Sequence, residues 1–206
     1  MTCTPLRYKQ GSRLTIKAEN TKLTPFLGCW LPFSLILLLT TAAHALILSS
    51  DSFQPYGLLH AAQVYNGMGC SGQNRSPQLF WSNEPAGTRS FAITMYDPDA
   101  PTGHGWWHWL VFNIPRQIHD LPEGWNRTAT AYPSSLGTSF YNDFDQPDYG
   151  GPCPPAGDNA HHYLITVYAL KTATCPLPRH SAFSLITQWL ERNQLDHAQI
   201  TGRYGR

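Results

Sequence analysis

Two loop-forming segments of the chain each lead into a strand-like run that carries histidine near its start. Residues 97–101 (Asp-Pro-Asp-Ala-Pro) precede the run 106–114, which contains His108. Residues 150–155 (Gly-Gly-Pro-Cys-Pro-Pro) precede the run 161–170, which begins with two histidines. Imidazole groups can bind ions or exchange protons near neutral pH, and prolines stiffen the turns beside them. We therefore expect two rigid strands to deliver these groups to a single site.

The same groups suit a small anionic ligand. Imidazole and phenol groups can donate to phosphate oxygens, and the backbone N–H groups of Gly150 and Gly151 can approach an anion closely. Asp97 and Asp99 would repel a phosphate unless they pair with histidines or meet a cation on the same ligand. A zwitterionic head group satisfies both signs, with its phosphate toward the strand histidines and Tyr163. If the histidines contact it directly, their charged forms should bind it better than their neutral forms.

Side-chain alternation predicts which way the first histidine points. It places His108 on the strand face of Leu110 and Phe112, with Trp107 and Trp109 on the opposite face. The tryptophans of this run could stack on a ligand, although such aromatics are more often core or rim residues.

On the second strand, His161 and Tyr163 share a face with Ile165 and Val167. Each polar group therefore lies at the end of an apolar row, where an unpaired polar atom costs about 1–3 kcal/mol. The simpler interpretation is that the histidines pair with the loop aspartates and only hold the loops together. The convergence of two histidines, a tyrosine and two turns favours a binding site.

The first 45 residues have the three parts of a signal peptide. Residues 1–25 carry five basic residues against the single Glu19, residues 26–39 are uncharged and apolar, and Ala43-His44-Ala45 is a small-residue cleavage site. The basic segment is over-long for an n-region, so the true start could lie downstream of Met1. A membrane anchor is the alternative, because apolar residues continue through Leu48.

Cleavage after residue 45 changes the charge and the cysteine content. It removes five basic residues and one acidic residue, which leaves nine against twelve and a formal charge of −3. Nucleic acid is therefore not expected as a partner. Cys70, Cys153 and Cys175 remain, and an exported protein can keep a disulfide. Three cysteines allow three single pairings, and the spacing does not choose among them.

The rest of the chain is predicted to be mainly β. Most elements are short strands between turns rich in Gly, Pro, Asn and Asp. Apolar spacings of three and four predict one helix over 181–193, with Ser181 as a possible cap. Residues 132–149 have little periodicity and are predicted to form a long surface loop. The predicted strands are 79–81, 90–96, 107–114 and 163–170.

Several ordered motifs resemble one known family. They are YDPDAPTG (96–103), WWHW (106–109), GGPCPPAGD (150–158) and HHY (161–163), flanked by CSGQNRSPQLFW (70–81) and TGRYGR (201–206). Together they resemble the phosphatidylethanolamine-binding protein family, in its bacterial Raf-kinase-inhibitor-like branch. The resemblance covers most of residues 50–206, so residues 46–206 are expected to form one such domain.

This resemblance implies a β-sandwich with a small helical part near the C-terminus and a shallow pocket for phosphate or a phosphorylated head group. It also makes Cys70–Cys153 the preferred disulfide, because both cysteines lie in segments that flank the family's pocket. One departure is His162, where the family usually has arginine, a permanent cation. The pocket positions carried over are Asp97, Asp99, His108, Pro155, His161 and Tyr163.

Two other classes of function compete with ligand binding. A metal-dependent or hydrolytic enzyme could use the histidines and aspartates, but the chain has neither His-Glu-x-x-His nor Gly-x-Ser-x-Gly. An inhibitor-type interaction with a protease or kinase rests on the resemblance alone. We therefore expect an exported, periplasmic or secreted, binding protein for a small phosphorylated or anionic ligand, without catalytic residues, bound metal or cofactor. Membrane contact is expected only through an uncleaved signal or lipid head groups.

Overall fold

The computed structural model describes residues 45–125 and 136–206. These residues contain ten β-strands and one α-helix, numbered here in chain order. The strands are β1 (Ile47–Ser49), β2 (Asn66–Gly67), β3 (Cys70–Ser71), β4 (Leu79–Ser82), β5 (Ser90–Asp97), β6 (Trp106–Pro115), β7 (Asp120–Leu121), β8 (Thr138–Ser139), β9 (His161–Leu170) and β10 (Gln194–Tyr204), and the helix is α1 (Phe183–Asn193).

An antiparallel five-stranded sheet, in the order β10-β9-β5-β6-β8, forms the main layer of the fold. A three-stranded sheet, in the order β1-β4-β7, supplies the second layer. One apolar cluster joins the two sheets and includes Leu48, Trp81 and Ile93. A second cluster joins the large sheet to α1 through Phe112 and Ile186. The fold is thus a β-sandwich with a helix on its outer face, which confirms the expected fold class.

All four predicted strands are present, each with bounds within a few residues of those expected. β1 was not predicted as a strand, because its residues only continue the apolar run that suggested a membrane anchor as the alternative. Leu48 of β1 and the preceding Leu46 are buried in the core. β10 went unrecognised because it is an edge strand, exposed along much of its length. Its buried residues, Ile200, Thr201 and Gly202, include only one large apolar side chain and so give little apolar signal.

The predicted helix is present, but it starts later than expected. It begins at Phe183, and Ala182 occupies the N-cap position without a side-chain hydrogen bond. The hydroxyl of Ser181 donates instead to the carbonyl of Pro178, so Ser181 is not the cap. Ile186 and Leu190 are the buried residues of the helix, as the apolar spacing indicates.

A β-bulge interrupts β6 at the histidine. Met95 of β5 pairs with Trp109, and the next residue, Tyr96, pairs with Trp107. His108 therefore has no partner across the ladder and is the extra residue. A bulge of this kind redirects the side chain at the point where it occurs.

The predicted alternation of β6 is wrong because of this bulge. Trp107, rather than His108, packs with the cluster of Leu110 and Phe112 beneath the helix. The ring of His108 instead contacts the ring of Tyr163, with 5.2 Å between centroids. The histidine of β6 and the tyrosine of β9 thus meet at one end of the core between the sheets.

The predicted signal peptide spans residues 1–45, of which residues 1–44 lie outside the described residues, as do residues 132–135 of the predicted loop. The described part of that loop, residues 136–149, contains only the two-residue strand β8. Within the two described stretches, no helix combines the length and apolar character needed to cross a membrane.

Candidate functional site

A cavity of about 360 Å³ lies where the ends of β5, β6 and β9 meet the loops that connect them. Five of the six predicted pocket residues line it, and Asp99 lies in a neighbouring surface depression. The predicted residues that line the cavity are Asp97, His108, Pro155, His161 and Tyr163. Further lining residues include Met68, Trp106, Phe144, Pro154 and Arg206.

The orientation of the His108 ring determines what it can offer to a ligand. Its Nδ1 lies 2.7 Å from the carbonyl oxygen of Gly150. A carbonyl oxygen only accepts hydrogen bonds, so Nδ1 carries the proton and donates it. In the neutral ring Nε2 is then a bare acceptor, and this atom is buried with no hydrogen-bond partner among the described residues.

Burial keeps this ring neutral at physiological pH. Desolvation lowers the pKa of His108 to about 4, and the like charge of His161 acts in the same direction. The backbone hydrogen bond to Gly150 and the carboxylate of Asp97 oppose the shift without cancelling it. The expectation that a charged His108 donates to an anion is therefore not supported at pH 7.

Two further polar groups of the lining residues are buried and unpaired. The hydroxyl of Tyr163 and the Nε1 of Trp106 make no hydrogen bond of normal geometry within the described residues. Burial, reinforced by the negative charge of Asp97 and by a contact of the hydroxyl with that carboxylate outside normal hydrogen-bond geometry, raises the pKa of Tyr163, so its hydroxyl stays protonated. Residues that line the cavity thus carry two donors without a partner of normal hydrogen-bond geometry among the described residues, a phenol O–H and an indole N–H, and one such acceptor, the imidazole nitrogen of His108.

His161 is held between two carboxylates. Its Nδ1 lies 2.8 Å from Oδ2 of Asp97, and its Nε2 lies 3.5 Å from Oδ2 of Asp158. The other oxygen of Asp97 accepts the backbone N–H of Asp99 at 2.8 Å. Both oxygens of Asp97 are therefore engaged, which positions the loop that follows β5.

His162 pairs with Asp99 at the surface. Oδ2 of Asp99 accepts the backbone N–H of His162 at 2.7 Å and lies 2.8 Å from its Nδ1. Burial acts to raise the pKa of Asp99, but the hydrogen bonds from His162 outweigh it and lower the pKa. Histidine at this position therefore still organises the loop carboxylate.

Gly150 and Gly151 do not present their backbone N–H groups to an anion, contrary to the expectation from the sequence. The N–H of Gly150 donates to the carbonyl of His108, and the N–H of Gly151 donates to Oδ1 of Asn74. Neither N–H is available to an anion. A side chain at Gly150 would collide with Phe144, and one at Gly151 would collide with the backbone of Gln63. These positions need glycine because neighbouring groups approach too closely for a Cβ atom.

Asn142 is a supporting residue that the sequence analysis missed. Its side-chain amide donates to the carbonyls of His108 and Asp148, and its oxygen accepts the N–H groups of Phe144 and Gln146. This buried side chain thus holds the bulge of β6 against the loop that leads to the cavity. A lone asparagine in a turn-rich loop gives no sequence signal for such a role.

A disulfide and the hydrogen bonds of one arginine hold the outer wall of the cavity together. Cys70 and Cys153 form a disulfide, as the resemblance implied, and Cys175 is free. Arg206 donates to the carbonyls of Pro154 and Gly69, at 2.6 and 2.9 Å. Both links join the β2–β3 hairpin to the loop before β9.

Nothing in the described residues gathers three or more His, Cys, Asp or Glu side chains in a way that could hold a metal ion. The histidines that might have served as ligands are divided between different partners. His108 bonds a carbonyl group, whereas His161 and His162 bond aspartates.

Comparison with known proteins shows which family the chain belongs to. The family model described as phosphatidylethanolamine-binding protein matches residues 49–205. The UPF0098 protein YbcL of Escherichia coli is 44% identical over 163 residues, which cover 79% of this chain and 88% of YbcL. The chain belongs to the phosphatidylethanolamine-binding protein family.

Further relatives agree with this membership. The crystal structure of E. coli YbcL, described as a new member of the mammalian PEBP family, matches with a TM-score of 0.75 and 42% identity, covering 79% of this chain and 99% of that one. UPF0098 protein YbhB of E. coli is 40% identical, over 68% of this chain and 88% of its own length. A putative lipoprotein of Mycobacterium tuberculosis, LppC, is 39% identical over 50% of this chain and 47% of its own. The ligand-binding fold of the family is therefore that of this chain.

The lowered pKa of His108 predicts a pH-dependent stability. Its pKa of about 4 in the folded state is below the value of about 6.5 in an unfolded chain, so the unfolded state binds more protons between these values. Stability should therefore fall as the pH is lowered from 6.5 toward 4. We expect the stability advantage of the wild type over His108→Asn to shrink by about 2 kcal/mol between pH 7 and pH 5.

The check is denaturant unfolding of both proteins at the two pH values. Asparagine is the matched replacement because its amide can still donate to the Gly150 carbonyl but does not titrate. An equal stability difference at pH 7 and pH 5 would contradict a neutral, buried His108.

Proposed function

We propose that the protein binds a small ligand with an anionic, phosphate-type head group in the cavity beside His108, and that it performs no chemistry on this ligand. A zwitterionic head group fits the proposal, because its cationic part could approach the carboxylates at the cavity edge. A volume of about 360 Å³ is of the size that small ligands occupy.

The main support comes from three polar atoms that have no partner of normal hydrogen-bond geometry in the described part of the chain and that belong to residues lining one cavity. They are Nε2 of His108, the hydroxyl of Tyr163 and Nε1 of Trp106. A buried polar atom without a partner costs about 1–3 kcal/mol, so three of them around one cavity form a costly arrangement in the absence of a ligand. A ligand that bonds all three would recover that cost.

The other two histidines, His161 and His162, fit the simpler interpretation that histidines pair with the loop aspartates and hold the loops together. His161 and His162 are engaged with aspartates, and their main effect is to hold the loops. Among residues 45–125 and 136–206, His108 has no carboxylate partner in hydrogen-bond contact, and its Nε2 has no partner. The division between loop-holding and ligand-facing histidines favours a binding site over a purely structural cluster.

We also propose that the protein is exported and that residues 1–45 are removed. The backbone nitrogen of Leu46 lies 2.9 Å from Oδ2 of Asp196. Cleavage after Ala45 would turn this nitrogen into an ammonium group beside a carboxylate. The name of the relative LppC, a putative lipoprotein, is compatible with export. The disulfide is also typical of oxidising compartments.

Replacement of Tyr163 by phenylalanine should separate binding from stability. We expect Tyr163→Phe to weaken the binding of phosphoethanolamine by about 10- to 100-fold, because a hydrogen bond to a charged ligand is lost. The stability of the unliganded protein should stay equal or rise, because the variant no longer buries an unpaired hydroxyl. Titration calorimetry and denaturant unfolding measure the two effects.

Tyr149→Phe is the matched control. Its buried hydroxyl donates to the carbonyl of Gln63 at 3.0 Å, and Tyr149 is not among the cavity-lining residues. This variant should lose roughly 1 kcal/mol of stability and keep its affinity. Unchanged affinity in a folded Tyr163→Phe protein would place the ligand elsewhere.

The processing proposal predicts Leu46 as the mature N-terminus of the protein made in a cell with a secretory pathway. N-terminal sequencing measures this directly. Asp196→Asn should then cost up to about 1 kcal/mol in the cleaved protein, because it removes the partner of the new ammonium group. Membrane-associated protein that keeps residues 1–45 would instead support the anchor.

A further inference from the structure

The unused nitrogen of His108 sets a requirement on the ligand that goes beyond negative charge. The inference drawn from it rests on the proposed function, because it concerns the phosphate-type head group in the same cavity. We propose that the cavity selects a phosphate group that still carries one proton, such as a phosphomonoester monoanion, and that His108 is the residue that recognises this proton.

The argument starts from the fixed tautomer. Nδ1 must donate to the Gly150 carbonyl, so the opposite edge of the neutral ring presents a lone pair. A fully ionised oxygen near this lone pair would place two acceptors against each other. A P–O–H group donates its proton to Nε2 and removes the conflict.

The other two unpaired atoms need the opposite kind of ligand atom. The hydroxyl of Tyr163 and the N–H of Trp106 can both donate, so they match the unprotonated oxygens of the same phosphate. The three groups together require two acceptors and one donor from the ligand. A singly protonated phosphomonoester supplies this combination, whereas a phosphodiester or a sulfate supplies acceptors only.

The surrounding charges also favour the singly charged form. The carboxylate of Asp97 on β5 repels a dianion more strongly than a monoanion. His161 on β9 is engaged by the carboxylates of Asp97 and Asp158, so its ring nitrogens are occupied before they can serve a ligand. The guanidinium of Arg206 lies at the cavity wall and donates to backbone carbonyls. The carboxylates beside the cavity therefore suit a ligand group of low negative charge.

The experiment is titration calorimetry of the full folded protein with matched small probes. The probes are phosphoethanolamine, inorganic phosphate, sulfate, dimethyl phosphate and ethanolamine. At pH 5, phosphoethanolamine and phosphate should bind at least tenfold more tightly than sulfate, dimethyl phosphate or ethanolamine. The affinity for phosphoethanolamine should then fall by roughly 100-fold between pH 5 and pH 8, because a phosphomonoester loses its last proton near pH 6.

Sulfate serves as the control for titration of the protein itself. It has no proton to lose in this range, so a parallel fall in sulfate affinity would assign the pH effect to protein groups and overturn the inference. Sulfate or dimethyl phosphate binding within tenfold of phosphate at pH 5 would also overturn it while leaving the proposed function intact. Ethanolamine binding as tightly as phosphoethanolamine would show that an ammonium group satisfies Nε2. Absence of binding by every anion would refute the proposed function itself.

Two further measurements separate His108 from other sources of selectivity. In His108→Gln the side-chain amide can turn either its oxygen or its NH₂ toward the ligand, so the preference for phosphate over sulfate should fall to near unity. Retained selectivity in the folded variant would overturn the role of His108. With the wild type at pH 5, calorimetry in two buffers of different ionisation enthalpy should show almost no proton uptake with phosphoethanolamine. Uptake of one proton would mean that His108 or a neighbouring group is protonated instead, and would overturn the inference.

Discussion

The hydrogen bond from Nδ1 of His108 to the carbonyl oxygen of Gly150 is the constraint on which the site depends. It fixes the tautomer and the orientation of a buried ring, and so determines that the opposite nitrogen is an acceptor. The bond exists only because a β-bulge turns His108 away from the helix side of the sheet. It also requires the close approach of the Gly150 loop, which a side chain at that position would prevent. Asn142 holds the two backbone segments in register.

The ionisable groups around the cavity fall into two sets: those that hold the loops in place and one that has an unpaired atom. Asp97, His161 and the pair of Asp99 with His162 satisfy each other and connect the loop after β5 to the start of β9. They stabilise the walls, as does the disulfide on the other side of the cavity. Within the described residues Nε2 of His108 has no hydrogen-bond partner, which leaves it free for the ligand that we propose. A binding protein needs both parts, because a precise cavity requires rigid walls and an affinity requires unused polar atoms.

The sequence predicts the strands that carry the site because β-branched and aromatic residues dominate them. It also predicts five of the residues that line the cavity, because their motifs match a family. The sequence does not predict which histidines pair with aspartates and which one keeps a nitrogen without a partner. The bulge at His108 depends on pairing with β5, which no local pattern reveals, and it reverses the expected alternation. The N–H groups of Gly150 and Gly151 donate hydrogen bonds to residues that are distant in sequence. β10 escapes recognition because an exposed edge strand needs few apolar residues.

The protonation of the His108 ring tests this account most directly. Long-range proton–nitrogen NMR spectra of protein with ¹⁵N-labelled histidine distinguish the two neutral tautomers from the charged ring. At pH 7 without ligand, His108 should be neutral, with its proton on Nδ1 and a bare Nε2. A proton on Nε2, or a charged ring at that pH, would contradict the account, because the cavity would then present a donor where we describe an acceptor.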